Sequence, residues 1–195
     1  DISFLRTIPN MTVLCPGDSW ELKVLLRQAL SISSPVYLRI GKSGEPKIHE
    51  TIPDLKIGKG YEILKGSQIC VLSTGNILPV AYEIAQKLQA TLVSMHTVKP
   101  LDSDLLSHLV TTYPYLCSIE EHSLIGGLGS SISEWLIDTQ VTSSRLIRLG
   151  IGDEFPHSIG SQQYLRDYFE LNAESCIKKI KNEVNKNAYI SSYSY

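Results

Sequence analysis

The chain has 195 residues, of which 43% are hydrophobic and 19% charged, and its formal net charge is −2. That length suits one good-sized domain, or one domain with a fragment of another, and the near-neutral charge removes the electrostatic case for a nucleic-acid or anionic-membrane partner. No stretch approaches about 18 consecutive apolar residues, and no leader-like segment opens the chain, which starts on Asp1 rather than Met and so reads as part of a longer polypeptide.

The first elements form a βαβ unit. "MTVLCP" (11–16) predicts a short buried strand, followed by a helix over 18–30 with Asp18 as N-cap and Glu21 completing a capping box. Leu22, Leu25, Leu26 and Ala29 would share one helical face, and "PVYLRI" (35–40) predicts the second strand. Residues 41–66 are rich in Gly, Pro and Lys and read as an interdomain linker, with a hairpin around Gly58 to Gly66.

Alternation then resumes. Strands are predicted at 67–75, 90–98, 115–121 and 144–150, with helices at 77–89, 102–112 and 129–139 between them. Two helical stretches, 161–170 and 173–185, close the chain before a tail that reads as loose. This order predicts an α/β fold: a three-layer, mostly parallel, open sheet with helices on both faces, preceded by a βαβ fragment of another α/β domain. The boundaries expected are 1–40 for that fragment, 41–66 for the linker, 67–190 for the main domain and 191–195 for the tail. Cys15, Cys70, Cys117 and Cys176 are widely separated, with no CxxC and no His at ligand spacing, which points to reduced thiols, a cytoplasmic setting and no metal.

Few residues carry a chemical signal. In "IEEHSLIGGLGSSISEW" (119–135) Gly127 and Gly129 fit a GxGxxG fingerprint, but the third position is Ile132. Gly126, Gly127 and Gly129 either cradle an anion at a helix N-terminus or permit a tight structural turn, and the incomplete motif favours the turn. Glu120 and Glu121 would repel an anion unless they point away. As strand neighbours they face opposite sides, so only one could work with His122, and an interface or salt-bridge role suits them better than acid–base chemistry. His49, His96, His108 and His157 lack ligand spacing, and Ser73 and Thr74 before Gly75 hold a plausible but common strand-end position. In "RIGKSG" (39–44), Arg39 and Lys42 with two glycines suit a phosphate, against the plainer reading of a solvated linker.

Several segments in register resemble one family. "LRTIPNMTVLCPGDSWELKVLLRQAL", "PVYLRIGKSG", "STGNILPVAYEIAQKL", "TVKPLDSDLL", "SIEEHSLIGGLGSSISEWL" and "RLGIGDEFPHSIGS" occur in the order seen in transketolase-type, thiamine-diphosphate-dependent enzymes. The chain is also similar to 1-deoxyxylulose-5-phosphate synthases and to 2-oxoacid dehydrogenase beta subunits. The resemblance implies the end of a pyrimidine-binding domain followed by a transketolase C-terminal domain, with a structural role for the GGLG turn. It implies two-carbon ketol transfer between sugars by the intact enzyme, with thiamine diphosphate and Mg2+ or Ca2+ held elsewhere. The cofactor-activating glutamate, aromatic platform and metal motif of such enzymes lie upstream of the part matched here. The chain alone would therefore hold no catalytic residue, bind no cofactor and turn over nothing. Its expected partner is a second copy, or a subunit carrying the pyrophosphate-binding and remaining pyrimidine-binding domains, with a small sugar as substrate. Lys42 stands where transketolases and deoxyxylulose-phosphate synthases carry an arginine for the substrate phosphate, and a lysine offers a point charge without the bidentate fork. A non-catalytic assembly module remains the alternative; cut free, its strand pair would expose Val13, Leu14, Val36 and Leu38.

Overall fold

A computed structural model describes residues 1–42 and 44–191, with side chains through Lys186. The chain folds as an α/β protein with two sheets. A small one is formed by β1 (Thr12–Leu14), β2 (Val36–Leu38) and β6 (Thr97–Lys99), in the order β2-β1-β6. A larger one holds β3 (Tyr61–Leu64), β4 (Ile69–Thr74), β5 (Thr91–Ser94), β7 (Tyr115–Ser123) and β8 (Arg145–Ile151), in the order β3-β5-β4-β7-β8. β5, β4, β7 and β8 run parallel, and β3 adds an antiparallel edge.

Period-two alternation gives the large sheet two buried faces. Val71, Leu92, Cys117, Ile119, Ile147 and Leu149 face α3 (Leu78–Leu88) and α7 (Ala173–Ser191), whose Ala81, Ile84, Cys176 and Ile180 complete that core. Cys70, Leu72, Val93 and Leu116 face α4 (Ser103–Thr112) and α5 (Leu128–Asp138), meeting Leu106, Leu109, Leu128 and Ile132. The result is three layers, helix–sheet–helix, as the alternation predicts.

The predicted βαβ unit forms, with β1 and β2 parallel around α2 (Ser19–Ala29). The Asp18 carboxylate caps α2 by accepting from Trp20 N and Glu21 N, both at 2.9 Å. Glu21 reaches one residue further back than a capping box requires and accepts from Gly17 N at 2.6 Å. The buried stripe of α2 also differs from the expected one. Leu25 is fully buried while Leu26 is 46% exposed, because Gln28 turns inward to bond Leu55 O and Ile57 N.

Four expectations are corrected. The hairpin at Gly58 to Gly66 is a single strand, β3, paired with β5 rather than with a neighbour in sequence. The single strand at 90–98 is two: after β5 the chain breaks at Met95 and His96, and β6 joins β1 antiparallel in the other sheet. That pairing, with α1 (Ile2–Thr7), leaves Val13 and Leu14 fully buried, so only Val36 and Leu38 on the open edge are part-exposed. The closing helix α7 runs through Ser191, further than its apolar period indicates; residues 192–195 of the predicted tail lie outside the described residues.

Candidate functional site

The strand order reverses direction between β4 and β7, where the chain leaves β4 to one side for β5 and later adds β8 on the other. In open parallel sheets the crevice beyond the carboxyl ends of two such strands receives ligands. The carboxyl ends here are Thr74-Gly75-Asn76 and Glu120-Glu121.

The glycine turn after β7 does cradle an anion, and the anion is the chain's own. Glu120, fully buried on the α5 side, accepts from Leu128 N and Gly129 N, both at 2.8 Å, at the N-terminus of α5. Burial raises the Glu120 pKa; the two backbone donors, Arg148 and Arg6 offset part of that rise. Gly127 is required, since a Cβ there would lie 1.9 Å from Glu120 Oε2. Gly126 takes φ +77° against Ser3, and Gly129 clears Ser118 Oγ and Arg148 Nε. Arg6 of α1 binds Gly126 O at 2.8 Å and Glu134 of α5, which docks the turn onto the N-terminal helix. His122 shares the Glu120 face; its Nδ1 donates to Ser123 O at 2.8 Å, and burial holds its pKa low.

Glu121 points to the opposite side, as strand neighbours must, and there it faces the crevice. Three side chains converge on it: Asn76 Nδ2 at 3.4 Å, Gln162 Nε2 at 3.0 Å and Arg166 Nε at 2.7 Å. Gln162 and Arg166 belong to α6 (Gln162–Tyr168), and Arg166 also donates to Asn76 O at 2.9 Å, which pins that helix across the ends of β4 and β7.

Around this knot lie three cavities, of about 390, 410 and 200 Å3, each lined in part by Lys42. Asn76 lines the first and third. Lys42 makes no hydrogen bond or ion pair among the described residues. Arg39 is placed differently, bound to Asp1 Oδ2 at 2.9 Å and Glu121 O at 3.1 Å. Of the two cations in "RIGKSG", one is engaged and one faces the crevice. Two buried oxygens beside it, Asn76 Oδ1 and Glu45 Oε1, have no partner among the described residues. A larger groove of about 880 Å3 runs between β8 and α7, away from the strand ends, and its Glu183 pairs with Arg145 and Lys186.

Thr74 spends its hydroxyl on Met95 O at 2.9 Å, and Ser73 Oγ is buried without a partner among the described residues. His49 Nε2 meets the fully buried Glu21 Oε1 at 3.0 Å. Burial works against the charged form of His49, but the Glu21 contact outweighs it and the net shift is upward. His96, beside them, is lowered by burial. All four cysteines are free and buried, and burial raises the Cys15 thiol to about 12 and the Cys176 thiol to about 11. Such thiols are inert. Neither Asn76, Gln162 nor Arg166 is marked by sequence spacing, because their partners lie many residues away; for Asn76 the strand-end position next to Ser73 and Thr74 is a signal.

A mostly parallel sheet with a crevice at its switch point, lined in part by Lys42, defines an open α/β unit joined to a second, smaller sheet. The transketolase C-terminal domain matches residues 58–176, and the transketolase pyrimidine-binding domain matches residues 1–46. The chain belongs to the transketolase family. A 1-deoxy-D-xylulose-5-phosphate synthase of Psychromonas ingrahamii is 36% identical over 182 residues, covering 92% of this chain and 29% of that protein. A transketolase C-terminal section of Methanocaldococcus jannaschii is 32% identical over 193 residues, covering 95% of this chain and 60% of that one. Among solved structures, a split-gene transketolase described as an inactive beta4 tetramer superposes with a TM-score of 0.86 at 28% identity, covering 93% of this chain and 60% of the other. Transketolase from Campylobacter jejuni shares the fold at a TM-score of 0.62 and 12% identity, covering 93% of this chain and 27% of its own. The chain thus spans under a third of the curated synthases it matches and about three-fifths of the Methanocaldococcus protein and of the split-gene structure. Among the described residues no helix is long and apolar enough to cross a membrane.

Proposed function

We propose that this chain is the C-terminal part of an enzyme that moves a two-carbon ketol unit between phosphorylated sugars. In this reading it contributes subunit contacts and one wall of the substrate entrance, with Lys42 receiving the phosphate. The observation that carries the reading is the Lys42 ammonium, which lines three cavities of the crevice and has no partner among the described residues. An ammonium so placed attracts a dianionic phosphate as a point charge. Arg39, tied to Glu121 O, supports the strand end behind it rather than reaching the ligand.

Thiamine diphosphate would supply the carbanion chemistry when bound in the assembled enzyme. The described residues do not fit that group. Both fully buried glutamates are occupied, Glu21 by His49 and Gly17 N and Glu120 by the start of α5, so neither is free to activate a cofactor. No cluster of His, Cys, Asp or Glu among the described residues could hold its metal. In this reading cofactor and cation are held by the rest of the enzyme, whether that lies in the same polypeptide or in a partner subunit.

Lys42→Ala in the full enzyme should raise KM for a phosphorylated acceptor about 10- to 100-fold with kcat little changed, the effect of one charge-assisted contact, while Lys42→Arg keeps most of the affinity. An unchanged KM would sink the assignment. A second reading, 1-deoxyxylulose-5-phosphate synthesis, is favoured by the 36% identity to the Psychromonas protein. It predicts 1-deoxyxylulose 5-phosphate as product, so identifying the sugar phosphate formed by mass spectrometry separates the two readings. The split-gene tetramer, described as inactive, favours a third reading in which the chain only assembles subunits. Complexes that turn over equally well with Lys42→Ala would support it.

A further inference from the structure

Asn76 lies in the 3-10 turn that joins β4 to α3 and lines two of the cavities that Lys42 also lines. Asn76 is held at two points, one on its side chain and one on its backbone. Nδ2 faces Glu121 Oε1, and because that carboxylate only accepts, the amide's orientation is settled: nitrogen toward Glu121, oxygen away. Its backbone carbonyl is held by Arg166. Oδ1, buried and without a partner among the described residues, belongs to a residue that lines both smaller cavities shared with Lys42. Glu45 Oε1 is the second such acceptor. Both residues flank the bare backbone of Gly41, where an added Cβ would lie 2.9 Å from Glu45 Oε1 and 3.1 Å from Asn76 Cβ. Buried acceptors left unpaired cost free energy, and a donor on a bound ligand would recover that cost.

One free cation beside two free acceptors describes a ligand with a negative group at one end and hydroxyl donors next to it. We propose that Asn76, with Glu45, is a specificity-determining residue of the crevice, accepting hydrogen bonds from ligand hydroxyls while Lys42 holds the neighbouring phosphate. This rests on the Lys42 reading and adds a selectivity to it. The site prefers polyol monophosphates to alkyl phosphates of the same length, since an alkyl chain would leave both oxygens unpaired. It also disfavours a second anionic group, which the Glu45 carboxylate would repel. The recognition then comes from the turn after β4 and from the linker together, so neither half of the chain forms the site alone.

A matched pair of probes tests this in the full enzyme by calorimetry. Glycerol 3-phosphate and n-propyl phosphate differ only in the two hydroxyls. The wild type should bind glycerol 3-phosphate about fivefold or more tighter, the effect of one or two neutral hydrogen bonds. Asn76→Ala should reduce that preference toward unity while n-propyl phosphate binds at least as tightly as to the wild type, which also reports that the site is intact. Asn76→Ser, whose shorter hydroxyl falls short of the ligand, should behave alike and serves if alanine unsettles the turn. Equal affinities in the wild type, or a preference that survives both substitutions, overturns the proposal while leaving phosphate binding at Lys42 standing. If neither probe binds, or if Lys42→Ala leaves both unchanged, the Lys42 reading falls and this inference falls with it.

Discussion

A methyl group on Gly127 would sit 1.9 Å from Glu120 Oε2, and that oxygen already takes Leu128 N at 2.8 Å. Gly127→Ala must therefore displace the carboxylate from α5, and urea unfolding should record a loss of about 2 kcal/mol, the range for unpairing buried donors. In a Glu120→Ala background the added methyl has nothing to strike, so the two losses should not add; strict additivity would refute the clash. The histidines make opposite pH predictions. The Glu21 contact holds the His49 pKa up in the fold against the opposing effect of burial, so its contribution is complete below about pH 6.5 and is lost as pH rises through the raised folded value. His96 is lowered by burial, so its contribution is present above about pH 6.5 and is lost as pH falls. His49→Gln should therefore cost more stability in mild acid than at high pH, and His96→Gln should flatten the acid-side decline. Unfolding curves at a series of pH values check both. Neither histidine carries a local sequence signal, because Glu21 is 28 residues from His49 and acts through the tertiary fold.

At the scale of elements, Asp18 links two segments that the sequence reading kept apart. One carboxylate oxygen caps α2 through Trp20 N and Glu21 N; the other accepts from Ile48 N at 2.9 Å and His49 N at 3.1 Å in the linker. The cap is legible from position alone, since an Asp before an apolar-periodic run satisfies the orphan donors of a helix start. The linker half is not, because a stretch rich in Gly, Pro and Lys gives no periodicity to say which helix it lies against. Asp18→Ala should cost about 2–3 kcal/mol, a helix cap plus two linker bonds. Asp18→Asn should fall between, since it retains one acceptor. Amide exchange at Ile48 and His49 should accelerate in both; if only α2 amides respond, the linker contacts contribute nothing. The same logic explains the misread strand at 90–98. No Gly or Pro interrupts that run, and only pairing assigns Thr91–Ser94 to one sheet and Thr97–Lys99 to the other. Gly58 to Gly66 likewise looks like a local turn, yet Tyr61 pairs with Ser94.

For the molecule as a whole, alternation of apolar runs and amphipathic stretches predicts the three-layer sheet, because burial on two faces imposes that pattern on the sequence itself. The join between the two sheets leaves no such trace. It depends on β6 and on Lys99, whose ammonium closes the end of α1 by donating to Arg6 O at 2.8 Å and Ile8 O at 2.6 Å. Each side of the join has its own buried clusters, and those of the small sheet are short: Ile2, Val13, Cys15 and Val98 in one, Leu14, Leu25 and Leu55 in the other. With less apolar area to hold it, the small sheet should open before the large one. Lys99→Ala removes two charge-assisted bonds to carbonyls and should cost about 2–4 kcal/mol of local stability. Native-state hydrogen exchange should then quicken at Val13 and Leu14, while Val71 and Cys117 in the large sheet keep their protection. Equal acceleration in both sheets would mean that they unfold as one unit. In that case the crevice, built from the linker on one side and the ends of β4 and β7 on the other, would be lost only with the whole fold. Separate opening would instead let Lys42 move away from Asn76 while the large sheet stays folded, and ligand binding at the crevice should then suppress exchange at Val13 and Leu14 in step with its occupancy.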